Sequence, residues 1–200
     1  MARELVVNTF LSVDGVMQAP GGSDEDEENG FALGGWSVTY WDDAMGAWMG
    51  EFMGRPFDLL LGRKTYDIFA AYWPEAPQEE SEGLNKAHKY VASRGAPALP
   101  WADSTLLTGP LETAVAELKQ QDGPELQVHG SANLLQSLFA AGLVDRWYLW
   151  TFPVVLGTGK RLFEPGTAPG ALTMVESKVS TTGVVRTTYE PAGAVPIGSF

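Results

Sequence analysis

Short apolar runs alternate along the chain with segments of helical spacing. Leu5-Val6-Val7-Asn8-Thr9-Phe10-Leu11-Ser12-Val13 is nearly continuous, the pattern of a central strand covered on both faces, and Asp14-Gly15 ends it. Residues 42–53 predict a helix with Asp42 and Asp43 in its first turn and Ala44, Trp48 and Phe52 on one face. A strand over 57–61 and a helix over 63–72 follow, while the Pro- and Glu-rich residues 74–86 read as a surface loop. Residues 89–93 and 105–107 read as short strands. Gly109-Pro110-Leu111-Glu112 opens a helix, with glycine at the N-cap and proline at the first position, and Leu111, Val115 and Leu118 carry its spacing. A strand over 126–129 and a helix over 132–141 come next. The run from Trp147 to Leu156 reads as a strand that Pro153 turns into a bulge or an edge. Leu172–Val179 and Val184–Tyr189 flank Ser180-Thr181-Thr182-Gly183 as a hairpin.

This order predicts an α/β fold: a mainly parallel central sheet with right-handed crossovers, flanked by helices, with a C-terminal antiparallel hairpin at its edge. Residues 1–190 read as one domain, with 18–35 as an exposed, mobile acidic loop and 191–200 as a flexible tail. Ligands of such sheets bind beyond the carboxyl ends of the strands. Gly62, Ser93-Arg94 and Gly130 all fall at such ends.

Charge and composition then narrow the partners. The net charge is −12, and residues 1–62 hold two basic and eleven acidic side chains. A nucleic-acid partner needs a basic stripe, so none is expected. There are no cysteines, which excludes disulfides, thiol catalysis and cysteine metal sites. The two histidines, His88 and His129, are 41 residues apart and give a poor basis for a metal site. The N-terminal residues lack the apolar core of a signal peptide, and no apolar segment is long enough to span a bilayer. A cytoplasmic protein with no membrane partner is the expectation.

The chemistry concentrates in Asp58-Leu59-Leu60-Leu61-Gly62-Arg63-Lys64-Thr65-Tyr66. A strand passing through glycine into a helix start presents unpaired backbone N–H groups, and Arg63 and Lys64 add positive charge there. The pattern fits either a phosphate-binding turn or an ordinary strand–helix turn with solvated basic residues. Gly130-Ser131-Ala132 repeats the strand–turn–helix pattern, and Ser93-Arg94 lies between the two. Together they suit the several phosphates of a dinucleotide. There is no Gly-x-Gly-x-x-Gly turn and no Walker-type loop.

The ordered motifs Ser12-Val13-Asp14-Gly15, Leu59-Leu60-Leu61-Gly62-Arg63-Lys64-Thr65-Tyr66, Lys89-Tyr90-Val91-Ala92-Ser93-Arg94, Val128-His129-Gly130-Ser131-Ala132 and Phe152-Pro153-Val154-Val155-Leu156-Gly157-Thr158-Gly159-Lys160-Arg161-Leu162-Phe163 resemble the dihydrofolate reductase-like superfamily. The nearest branch is the reductase domain of the riboflavin-biosynthesis deaminase-reductase. The resemblance implies NADPH, with Gly62, Arg63, Lys64 and Thr65 at its phosphates. It places Ser93 and Arg94 near the adenosine 2′-phosphate, and Gly130, Ser131 and Ala132 at the pyrophosphate. Two departures stand out. The deaminase half's zinc ligands are missing, and a residue near Gly46 falls where folate reductases carry their pterin-binding acid.

Asp14 is either a proton relay at the nicotinamide end or a turn residue before Gly15. Asp43 is either a proton donor or a charge complementing the helix dipole. His129 reads as a packed strand-end histidine. Tyr40 and Trp41 are candidates for stacking on a planar substrate, against core packing as the alternative. The function expected is an NADPH-dependent reductase of a small heterocyclic or ribosylaminopyrimidine-like substrate. The alternative is a non-catalytic NADPH- or antifolate-binding protein of the same fold. A homodimer is expected, with the 147–156 strand as one possible pairing region.

Overall fold

The computed structural model describes residues 2–199. The chain runs β1 (Leu5–Ser12), α1 (Asp43–Met53), β2 (Phe57–Gly62), α2 (Arg63–Tyr72), α3 (Gln78–Lys86), β3 (Lys89–Ala92), β4 (Ser104–Leu106), α4 (Leu111–Gln120), β5 (Glu125–Val128), α5 (Ala132–Ala140), β6 (Arg146–Phe152), β7 (Leu172–Val179) and β8 (Val185–Pro191). One eight-stranded sheet has the order β4-β3-β2-β5-β1-β6-β8-β7. Strands β1 to β6 pair in parallel. The β7–β8 hairpin joins β6 antiparallel. The α/β reading with a C-terminal antiparallel edge is therefore correct.

Strand β1 sits between β5 and β6 and is buried almost throughout, which is why its sequence is apolar at consecutive positions. Its two faces serve different layers. Leu5, Val7 and Leu11 pack with Val115 and Leu118 of α4 and with Leu135 and Leu138 of α5. Val6 meets Phe52 of α1 on the opposite face. Register carries this division across the sheet: Val7 pairs with Val128, so Asn8 and His129, the next residues, both turn to the α1 face.

Helix α1 starts where Asp42 Oδ1 accepts from Met45 N at 2.8 Å. The other oxygen, Oδ2, accepts from Thr181 N and Oγ1, tying α1 to the β7–β8 turn. Pro153 ends β6 at Phe152, since a proline cannot donate to the ladder. Strand β6 lies inside the sheet between β1 and β8, so its edges are already paired and cannot serve two-fold pairing. The exposed sheet edge on that side is β7, with Met174, Val175 and Val179 open to solvent.

The segment read as loop at 74–86 contains α3. Its first turn holds Glu79 and Glu80 and its last turn Lys86, all favourable to the helix dipole. Only Ser81 and Leu84 are buried, so the helix shows almost no apolar periodicity. The acidic segment 18–35 is built into the body. Trp36 Nε1 donates to the Gln18 carbonyl at 2.8 Å, Gln18 Nε2 donates to the carbonyls of Asp26 and Glu28, and Phe31 is buried. Near the C-terminus, Ala192 N donates to the Ala171 carbonyl and Ala171 N to the Gly193 carbonyl, extending the hairpin past β8. Among the described residues no helix is long and apolar enough to cross a membrane.

Candidate functional site

The carboxyl ends of β1 to β5 open into one cleft of about 2630 Å3. At its centre the β2–α2 and β5–α5 turns touch. Thr65 Oγ1 and Ser131 Oγ share a hydrogen bond of 2.6 Å. Gly62 makes this approach possible: a Cβ there would lie 2.6 Å from the Ser131 Cβ. Ser131 holds φ 75°, ψ 87°, a left-handed conformation that costs a non-glycine residue on the order of 1 kcal/mol or more. Such strain at a turn that borders a cleft is the kind of feature functional sites retain. Neither helix start has a side-chain cap, so the first N–H groups of α2 and α5 lack a capping side chain at the same place.

Charged side chains surround that point, and most are already paired. Arg63 Nε donates to Asp67 at 2.7 Å. Lys64 Nζ meets Asp26 at 2.8 Å and Glu28 at 2.7 Å, and Lys160 Nζ meets the same two carboxylates at 2.6 Å each. Burial works to raise the Asp26 pKa, but hydrogen bonds from Lys160 and Lys64 outweigh it and leave it lowered. The same carboxylates hold the Lys64 ammonium above its ordinary range. Among the described residues Arg94 is exposed and makes no ion pair. All nine residues expected at the cofactor line this cleft: Gly62, Arg63, Lys64, Thr65, Ser93, Arg94, Gly130, Ser131 and Ala132.

The other end of the cleft is apolar. Phe10 from β1, Trp41 just before α1, Met49 and Met53 from α1, and Phe69 from α2 wall a chamber whose polar groups include Asn8 and His129. Trp41 lies parallel to the buried Trp150 at 6.2 Å. His129 packs against the rings of Phe52 and Phe69, and burial pushes its pKa down to about 4, so the imidazole is neutral at pH 7. Strand-end packing, as the sequence suggested, is thus half of its situation; it also faces the cleft.

Three candidates are not brought to this cleft. Tyr40 packs its ring on Phe152 at 6.1 Å, and its carbonyl accepts from Thr182 Oγ1. Asp43 is exposed at the first position of α1. Asp14 serves the neighbouring loop: its carboxylate accepts from Leu156 N at 3.0 Å, Gly157 N at 2.9 Å and Ser12 Oγ at 2.7 Å, with Arg161 alongside at 3.3 Å. The Leu156 N–H, the Ser12 hydroxyl and the other donors bring its pKa down to about 2. A folded pKa below the ordinary 3.8 means stability that is present above that value and lost as pH falls through about 2. The contribution is about 1 kcal/mol once solvent screening is allowed for. Urea unfolding of the wild type and Asp14→Asn at about pH 6 and pH 2.5 checks this. The wild type should lose about 1 kcal/mol more than the variant across that window, and equal losses would refute it.

Asn8 and Lys160 were missed as site residues. Asn8 had a signal, a lone amide inside an otherwise apolar strand run. Lys160 had none beyond its place in Gly157-Thr158-Gly159-Lys160.

Residues 3–186 match the RibD C-terminal domain model. The chain belongs to the RibD C-terminal domain family. The Bacillus subtilis (strain 168) protein YyaP is 28% identical over 192 residues, 94% of each chain. A putative riboflavin biosynthesis protein from Shewanella sp. PV-4 superposes with a TM-score of 0.68 at 22% identity, covering 96% of this chain and 99% of the other. Dihydrofolate reductase from Enterococcus faecalis, complexed with NADP(H), superposes at 0.59 and 13% identity, with 96% and 99% covered. These superpositions show the dihydrofolate reductase-like fold. Membership of the RibD C-terminal domain family supports a reductase-type function.

Proposed function

We propose that this protein is an NADPH-dependent reductase acting on a small heterocyclic, ribosylaminopyrimidine-like substrate. The observation that carries the reading is the meeting of two uncapped helix starts at the Thr65–Ser131 contact, beside an apolar chamber. The first N–H groups of α2 and α5 suit the pyrophosphate. Ser93, Arg94 and Leu107, which line the cleft by β3 and β4, would hold the adenosine half, with Arg94 suited to the 2′-phosphate. Residues of β1 and α1 would border the nicotinamide end. When bound, NADPH supplies the hydride. Phe10, Met49 and Met53 keep water away from the transfer and orient the substrate's plane.

Titration with NADPH and NADH, followed by tryptophan fluorescence, tests this. NADPH should bind with micromolar affinity or better. Arg94→Ala should raise the NADPH dissociation constant about tenfold and change that of NADH less than about twofold. Failure of both cofactors to bind ends the reading. One observation favours a non-catalytic NADPH- or antifolate-binding protein: the lining residues from β1, α1 and the end of β5 include no carboxylate. Turnover of bound NADPH with ribosylaminopyrimidines or dihydrofolate separates enzyme from binder.

A further inference from the structure

Two polar groups of the chamber have their hydrogen-bonding roles fixed from behind. Gln127 Nε2 lies 2.7 Å from Glu125 Oε1. An ionised carboxylate only accepts, so the Gln127 amide must turn its NH2 toward Glu125 and its oxygen toward His129. That oxygen, 2.9 Å from His129 Nε2, in turn requires the imidazole proton on Nε2. The depressed pKa keeps the ring neutral, so Nδ1 is an acceptor, and it has no protein partner among the described residues. Asn8 is fixed in the opposite sense. Trp150 Nε1 donates to Asn8 Oδ1 at 2.7 Å, which leaves Nδ2 with only the Met49 sulfur at 4.0 Å. The β1–β5 register sets Asn8 and His129 side by side on the same face of neighbouring strands.

A donor and an acceptor therefore stand next to each other in an apolar chamber. Among the lining residues of β1, residues 41–53 and the end of β5, no side chain carries a charge. We propose that this pair reads the –NH–C(=O)– edge of an uncharged, planar lactam heterocycle, with Asn8 Nδ2 donating to the carbonyl and His129 Nδ1 accepting from the ring N–H. The inference deepens the reductase reading and rests on it for the location of the substrate. A ring that is cationic when bound has no carboxylate to meet there. A protonated amidine edge, which offers two donors, would also face the Asn8 donor, leaving a buried N–H unpaired.

The test uses three ligands on one ring system: lumazine, which has the lactam edge; 1,3-dimethyllumazine, which lacks its N–H; and 2,4-dimethoxypteridine, whose edge has acceptors but no N–H. Each is titrated calorimetrically into the protein, free and saturated with NADP+. Lumazine should bind at least about tenfold tighter than either comparator. His129→Phe should abolish that preference while the NADP+ dissociation constant stays within about twofold. If His129→Phe fails to fold, Gln127→Leu, which frees the tautomer, should narrow the preference instead. Equal or tighter binding of 2,4-dimethoxypteridine or 1,3-dimethyllumazine overturns the proposal, as does binding of none of the three. Should NADP(H) itself fail to bind, the reductase reading falls, and the cofactor-free titration still decides the lactam edge.

Discussion

Gly62→Ala is expected to raise the NADPH dissociation constant at least about thirtyfold and to destabilise the protein by about 2–3 kcal/mol. The backbone at Gly62 has φ −70°, ψ 153°, a conformation alanine adopts freely, so none of this cost is conformational. It comes from the approach of the β5–α5 turn. The new methyl would lie 2.6 Å from the Ser131 Cβ, which belongs to the first atom of a side chain and cannot rotate aside. The turns must separate by about 1 Å to reach ordinary contact. Separation breaks the Thr65–Ser131 hydrogen bond and moves one helix start away from the phosphates the other would hold. Positioning of that kind is sensitive to shifts of this size. Ser131→Gly in the Gly62→Ala background removes the clash and relaxes the left-handed residue. It should recover most of the stability and part of the affinity. Urea unfolding and fluorescence titration of the three proteins measure both effects. Wild-type values for Gly62→Ala would show that the turns are not in contact in solution.

Much of this architecture was readable in the chain because burial on both faces leaves a plain trace. The apolar runs of β1, β2 and β5, and the helix at Arg63–Tyr72, follow directly from it. Helix α3 was hidden because its stability comes from charge placement and two buried residues rather than a stripe. The meeting of the β2–α2 and β5–α5 turns at the cleft was legible through glycine at strand ends. The chamber was less so, because its chemistry depends on register. Only the pairing of Val7 with Val128 puts Asn8 beside His129, residues more than a hundred positions apart. The two readings of Asp14 stayed open in the sequence for a related reason. A turn aspartate looks alike whether its oxygens face a ligand or the N–H groups of Leu156 and Gly157.

The largest electrostatic effect should come from the acidic strap. Asp26→Asn with Glu28→Gln is expected to tighten NADPH binding about tenfold at low salt, with the gain falling below about twofold near 0.5 M salt. The cations lining the cleft are Arg63, Lys64, Arg94 and Lys160, and Asp26, Glu28 and Asp67 oppose them. A cofactor bearing several phosphates meets little net positive charge there, because two lysines are shared with the strap. The amide replacements keep the side-chain shape and leave the strap's anchors untouched. Gln18 holds it through the backbone carbonyls of residues 26 and 28, and Gln18 Oε1 accepts from Lys160 N at 3.0 Å. What changes is the charge alone. The exposed Lys64–Glu28 pair adds little to folding, but the Asp26 carboxylate is mostly buried against both lysines, so the variant's unfolding midpoint should fall. Lys64→Gln should act in the opposite direction on affinity, removing a cation that the phosphates can recruit. If instead the double variant binds NADPH more weakly at low salt, the carboxylates hold the strap closed over bound cofactor. The competition between strap and phosphate for Lys64 and Lys160 would then be excluded.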